Sequence, residues 1–411
     1  MSQKDANEFY LMKTLPCRSL VCLFVVSQLS AGVFAHSPKK DGAKLRVKGV
    51  RSLEVVEDNG RLHMLLGEAE DPAAVPVLSH STSMDGGESW SVPIAVGLSA
   101  AAPHGLHRGS DARIAAHGDH LVAAWTAAGT DSWGSGPITI VMSEDGGQHW
   151  SAGPNPADDG LTDGHNFLTI NADAKGQFHL AWLDKRDGER GLRYSFSTDG
   201  GRHWEANKTA APKTCECCWN SIVPLASGDV AILFRDRSPR DMKVVTSRGP
   251  SRWNMPVAVG NFQWQFNACP HVGGALVRRS AAAGEQLHAA VWTGASGASG
   301  LYHLRSDDGG GTWSEPHKMN VALAWHPALA VDSTGRLAAV WDTMAAVAPE
   351  TWASLSSDGG STWDAPVRLS EAEAPAAHPR VVRIKNGFRV FWTEERPPGA
   401  SVLRSAVIGG G

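Results

Sequence analysis

Tyrosine is nearly absent from this chain: 411 residues contain 3, at positions 10, 194 and 302, against 16 tryptophans. Chemistry that needs a phenolic nucleophile therefore has very few positions available. Charge of one sign is not concentrated anywhere, since 38 Lys and Arg meet 42 Asp and Glu for a net charge of −4 and no basic block stands out. That balance excludes nucleic acid and an anionic membrane surface as the main partner. Long apolar runs are missing too. The one candidate, residues 20–29, is too short to cross a bilayer, so no membrane span is expected after the leader is removed. From residue 45 onward helical periodicity is missing, and what remains is short apolar runs at close spacing, the pattern of strands.

The apolar run near the N-terminus has another use. Lys13 and Arg18 precede it and Val33-Phe34-Ala35 follows with small residues where a signal peptidase would cut. Residues 1–35 are read as a secretory signal and 36–44 as a linker, with a propeller domain over 45–411. The expected location is periplasmic or secreted.

What the chain has in abundance is one repeated stretch. Ser143-Glu144-Asp145-Gly146-Gly147-Gln148-His149-Trp150 recurs as S-x-D-G-G-x-x-W at Ser83 to Trp90, Ser197 to Trp204, Ser306 to Trp313 and Ser356 to Trp363. Each copy follows one apolar run and precedes another. The glycines supply positive φ, the aspartates Asp85, Asp145, Asp199, Asp308 and Asp358 accept turn N–H groups, and the Trp is expected to cover the hairpin it ends. The gap between Asp199 and Asp308 is about two repeats long, and a degraded box without its Asp lies midway, at Ser247 to Trp253. First strands begin near Arg51, Arg113, Phe167, Ser221, Val272, Pro327 and Pro379, which counts seven units; the last has three strands and no box. Four-stranded units of this kind bury their faces only against neighbours, and radial closure removes their edges. The fold class is all-β, a single β-propeller of seven blades with six as the alternative, and residues 45–50 are expected to add the missing outer strand of the last blade.

The five boxes resemble the Asp-boxes, or BNR repeats, of the sialidase-like propeller superfamily over nearly all of 45–408. The resemblance implies an active site with three arginines clamping a carboxylate, an Asp acid/base and a Tyr nucleophile paired with a Glu. Arg51-Ser52-Leu53, with Gly60-Arg61-Leu62 and Glu68 after it, is similar to the family's first arginine strand, although its Ile-Pro is missing. Asp71 falls where the catalytic Asp would, and Arg237 of Phe234-Arg235-Asp236-Arg237-Ser238 resembles the second clamp. Residues 293–300 have no arginine for the third clamp. Where the Tyr should open a late blade the chain has Trp325-His326-Pro327 or Ala377-His378-Pro379, and where the Glu should be, Cys218 with Glu216 nearby.

Soft ligands gather in place of that machinery. Cys215-Glu216-Cys217-Cys218 opens the fourth unit and Cys269-Pro270-His271 the fifth, while His165, His326 and His378 open the third, sixth and seventh. Innermost strand starts converge on one face of a propeller's channel. Cys215, Cys217, Cys218, Cys269, His271, His326 and His378 are thus candidate ligands for Cu or Zn, beside Arg51, Arg113 and Arg237 as ligand-binding arginines. A disulfide from Cys269 to Cys218, or to Cys217, is the structural alternative, and a redox-active thiol is a third. Two functions stand: an exported propeller binding a small molecule, glycan, metal or another envelope protein without sialidase activity, and an exo-α-sialidase acting on sialylated glycans. A fluorogenic sialoside separates them. Turnover abolished by Arg51→Ala and by Asp71→Ala marks the hydrolase, whereas thiol titration that finds no free cysteine and no bound metal leaves a bridged scaffold.

Overall fold

Each Asp-box closes a turn with its own side chains. The box serine hydroxyl donates to the aspartate Oδ1 at 2.8–2.9 Å and accepts the second glycine's N–H at 2.7–2.8 Å in all five copies. The paired glycines hold φ between 70° and 98°, a region side chains with a Cβ rarely enter. Hydrogen bonds from the Ser89 hydroxyl and backbone, with Ser83 adding a third donor, hold the Asp85 carboxyl down at about 2; Thr362 and Ser356 do the same for Asp358. In the degraded fourth box the missing carboxylate comes from elsewhere in the chain. Asp229, ahead of that blade's second strand, accepts the Ser247 hydroxyl at 3.1 Å and the Gly249 N–H at 2.7 Å.

The computed structural model describes residues 49–410 apart from 71–73, 250–251, 283, 320–322, 344–347, 372–373 and 397–399. The signal and linker assigned to 1–44 lie outside these residues. The boxes punctuate seven antiparallel sheets whose strands follow chain order from the inside outward, except that the seventh has three strands: Ala376–Ile384, Gly387–Arg396 and Ala400–Ile408. First strands of successive blades touch in turn, and the seventh blade's touches Val50–Asp58 of the first, which closes the ring. The expected latch is not seen among the described residues. Val50 instead begins the innermost strand of blade 1, paired with Glu68, and 45–48 lie outside the description.

Apolar side chains fill the seven spaces between neighbouring blades. Between blades 3 and 4, for example, Leu183, Leu192 and Tyr194 meet Ile222, Ile232 and Phe234. The box tryptophans belong to these spaces. Trp150 of blade 2 lies edge-on to His80 of blade 1, Trp363 of blade 6 to His303 of blade 5, and Trp90 of blade 1 to Phe391 of blade 7. The Trp therefore seals the preceding blade rather than covering its own hairpin, because the apolar surface available to it is the neighbour's edge.

Antiparallel topology sorts the functional surfaces. First-strand starts, second-strand ends and the loops into third strands share one face, and the boxes, which follow third strands, share the opposite one. Beneath the box face lie two buried imidazole pairs, His63 Nδ1 to His80 Nε2 and His288 Nδ1 to His303 Nε2, both at 3.1 Å. Box glycines close over them: a Cβ on Gly147 would stand 2.2 Å from His80 Cε1, and one on Gly360 2.3 Å from His303 Cε1. Burial pushes all four down from the usual histidine value, His63 and His303 to about 3 and His80 and His288 to about 4. They are neutral when folded and protonate near 6.5 when unfolded, so stability is full above that value and declines as pH falls toward 4. Each such histidine is expected to cost about 2 kcal/mol at pH 5 relative to pH 7. Urea midpoints measured between pH 7.5 and 5 test this, and the slope should shrink when His303 is replaced by Phe.

Candidate functional site

On the face opposite the boxes, first strands enter the ring through a repeated kink. Register slips between Val50 and Ser52, between the partners of Ala181 and Leu183, between Trp325 and Ala328, and between Ala377 and Arg380. Within these kinks Phe167, His326 and His378 take φ of 53°, 39° and 51°. Left-handed backbone at non-glycine residues is strained and persists where packing over-determines it. Here it turns side chains from separate blades toward one axis.

Two of those side chains meet. The rings of His326 and His378 stack at 3.9 Å, tilted by 16°, and Trp219, next to Cys218, packs on both at 5.5 and 6.2 Å. Asp342, at the end of blade 6's second strand, binds His326 Nδ1 at 2.8 Å and the His378 backbone N–H at 2.7 Å through one oxygen, Oδ2. Burial, reinforced by His326 and Arg108, holds His378 well below the ordinary histidine value. Asp342 was not singled out in the sequence; its position at a strand end in the right register was the available signal.

Beside this group runs an ion-pair chain. Asp111 takes Arg108 at 3.0 Å and Arg380 at 2.5 Å, and Glu54 takes Arg113 at 2.6 Å and Arg380 at 3.2 Å. Burial opposes ionisation of Asp111, yet Arg380, Arg108 and Arg113 outweigh it and hold the carboxyl far below the usual range. Arg113 thus lies where the sequence suggested but is occupied by Glu54. Arg51 sits half-buried at the blade 1 kink, and Asp71 lies outside the described residues. Arg237 does not join this chain. Its side chain is 45% exposed and pairs with Glu189 at 3.2 Å, because its loop leads outward after the second strand. Tyr194 and Tyr302 are engaged elsewhere: Tyr194 OH bonds His179 Nδ1 at 2.7 Å and Tyr302 OH donates to the Ala298 carbonyl at 2.8 Å. The latter contact is in the loop on the channel-entry face rather than beside a box.

The thiols form a separate group. Cys215 Sγ lies 3.8 Å from Cys217 Sγ and 3.5 Å from Cys218 Sγ, all three sealed between blades 3 and 4. The proposed seven-ligand set therefore divides. Cys215, Cys217 and Cys218 cluster; His326 and His378 join Asp342; Cys269 is exposed. The Cys218–Cys269 bridge is not formed, since both thiols are free and the Cys218 sulfur lies against Cys215. His271 stays near the thiols, its ring against the Cys217 backbone, while His165 is buried against Asp159 at 3.1 Å. Hydrogen bonds from Cys217 and Cys218 favour the Cys215 thiolate, the bond to Cys215 keeps the Cys217 proton on, and burial pushes Cys218 up to about 12.

Cationic groups surround those sulfurs. Arg240, Arg235 and Arg190 act electrostatically on Cys215, Cys218 and Cys217 respectively. Arg235 is engaged at all three of its nitrogens, donating to the Val272, Arg240 and Trp292 carbonyls. Arg190 is not: it is 1% exposed, and its Nε and Nη2 have no partner. A buried guanidinium with two idle donors needs an explanation.

The fold is a seven-bladed propeller whose third strands run into the repeated S-x-D-G-G-x-x-W turn in five blades. Among solved structures it is similar to a PL25 ulvan lyase, a polysaccharide lyase, with TM-score 0.58, 12% identity, and coverage of 91% of this chain and 96% of that one. It is also similar to Trypanosoma rangeli sialidase, with TM-score 0.50, 12% identity, and coverage of 93% of this chain and 60% of that one. The Hadza microbial sialidase Hz136 aligns with TM-score 0.49 and 16% identity, over 88% of this chain and 66% of that one. This chain thus spans less than two thirds of either sialidase, and at these identities the likeness is one of fold. No family model and no curated protein matches the chain.

The two arginine environments make opposite predictions. Replacing Arg380 by Met leaves Asp111 and Glu54 under-compensated and is expected to cost about 3–5 kcal/mol, whereas Arg237→Ala stays within about 0.5 kcal/mol. Denaturant midpoints of the two variants check both.

Proposed function

We propose that this protein is an exported, non-hydrolytic propeller that holds a soft metal ion, Cu(I) or Zn(II), on the thiolates of Cys215, Cys217 and Cys218. The carrying observation is the spacing of the sulfurs. Ligands at a Zn–S distance of about 2.3 Å stand about 3.8 Å apart around a tetrahedral ion. The two separations, 3.5 and 3.8 Å, come close to this. Support also comes from the charge balance. Three thiolates on a monovalent or divalent ion carry net negative charge into an apolar space, and Arg190 offers the idle N–H groups that such charge would use. Soft donors select these metals over Mg or Ca. The apolar seal limits exchange, as suits retention better than rapid transfer.

The sialidase alternative rests on the fold and on Arg51. Among the described residues no tyrosine faces the channel group, and Arg237 points away from it. Export is part of the proposal and rests on the leader-like residues 1–35.

Competition with a chromophoric Cu(I) chelator under reducing conditions tests the reading. One ion per chain is expected, with affinity reduced at least a hundredfold by Cys217→Ser and about tenfold by Arg190→Gln. No copper or zinc retained by the reduced protein, or turnover of a sialoside or an acidic polysaccharide, overturns it.

A further inference from the structure

The stacked histidines and their carboxylate stand apart from the thiols and answer to different chemistry. His326, Asp342 and His378 each offer a ligand atom, all within 4.8 Å of one another. They come from blades 6 and 7, whereas the thiols lie between blades 3 and 4. The Asp342 side chain is 3% exposed and uses only Oδ2; its Oδ1 is buried without a partner. The Nδ1 of His378 is likewise buried and unpartnered. A carboxylate oxygen and an imidazole nitrogen left idle together are costly unless something binds both.

We infer that His326, His378 and Asp342 form a second metal site at the channel mouth, separate from the thiols, taking a borderline divalent first-row ion such as Zn(II) or Cu(II). Two imidazoles and a carboxylate suit such an ion better than Cu(I), which prefers sulfur, or Mg(II), which prefers oxygen. Two cations act on the site, Arg108, which donates to the His378 carbonyl, and Arg380; Asp111 pairs with both and Glu54 with Arg380, which offsets their repulsion toward a metal cation. Trp219 supplies an apolar wall over both rings. The donors must draw in by about an ångström, because ligands at Zn–N distances near 2.1 Å stand about 3.4 Å apart. The strained strand starts at φ 39° and 51° hold both rings at the axis, so that adjustment is left to side-chain torsions.

Co(II) titration of the intact reduced protein tests the site, because a thiolate-bound cobalt shows intense sulfur-to-metal charge transfer and an N/O-bound one shows only weak ligand-field bands. Two cobalt ions per chain are expected, one of each kind. His378→Ala and the near-isosteric Asp342→Asn should weaken only the ion without charge transfer, about a hundredfold for Asp342→Asn, while Cys217→Ser removes only the other. A wild-type protein that binds a single cobalt, with charge transfer, overturns this site and leaves the thiolate reading intact. So does an N/O-bound cobalt that is indifferent to both variants. Loss of the charge-transfer ion alone would overturn the thiolate reading and leave this one standing. Asp342→Asn keeps the size of the side chain, and an unchanged melting transition shows that the ring is intact.

Discussion

Everything in this molecule depends on apolar surface that no blade can bury by itself. A four-stranded antiparallel sheet exposes two faces, and here each face is covered by the next blade, so the ring must close before any blade is fully desolvated. The Asp-box serves that closure twice. Its serine, aspartate and glycines fix a turn that needs no help from the rest of the fold. Its tryptophan then fills the gap on the preceding blade, where His80, His303 or Phe391 receives it. The buried imidazole pairs use the same geometry, with Gly147 and Gly360 closing over His80 and His303 so tightly that a Cβ would stand 2.2 and 2.3 Å from the rings.

Closure also sets where chemistry can occur. Seven first strands enter near one axis, four of them through a kink, so residues far apart in the chain become neighbours without any long loop. At that axis arginines and carboxylates compensate each other through Asp111 and Glu54. This differs from an open clamp awaiting an anion. The stacked histidines sit at the edge of that chain, and the thiols lie one layer outward, in the interblade core. One residue separates the two environments: the Cys218 sulfur faces the apolar space between blades, while the adjacent Trp219 indole faces the histidines. Alternation along an extended segment sends successive side chains to opposite sides.

Turn chemistry and period were legible because they are local. Five boxes in register, glycines where φ must be positive, and strands between them specify a propeller, and the seven first strands begin within a few residues of their expected starts, at Val50, Arg113, Asn166, Ser221, Ala275, Ala324 and Ala376. Even the degraded box was visible, though its rescue by Asp229 was not, since that contact spans 18 residues. The grouping of Cys215, Cys217 and Cys218 could be expected from proximity in sequence alone.

What only the tertiary structure decided is direction. The sequence placed Arg237, Cys269, His326 and His378 at homologous strand ends, and that placement is right to within a few residues. It could not say that the loop carrying Arg237 turns outward to Glu189, that Cys269 is exposed, that the two histidines stack on each other beneath Trp219, or that Asp342 and Arg380 complete their surroundings. Those outcomes follow from the rotation of each blade about the axis and from the kinks at the first-strand starts of blades 1, 3, 6 and 7, which no single segment determines. Repeat and turn are properties of a few adjacent residues, whereas a site at the axis is a property of the closed ring.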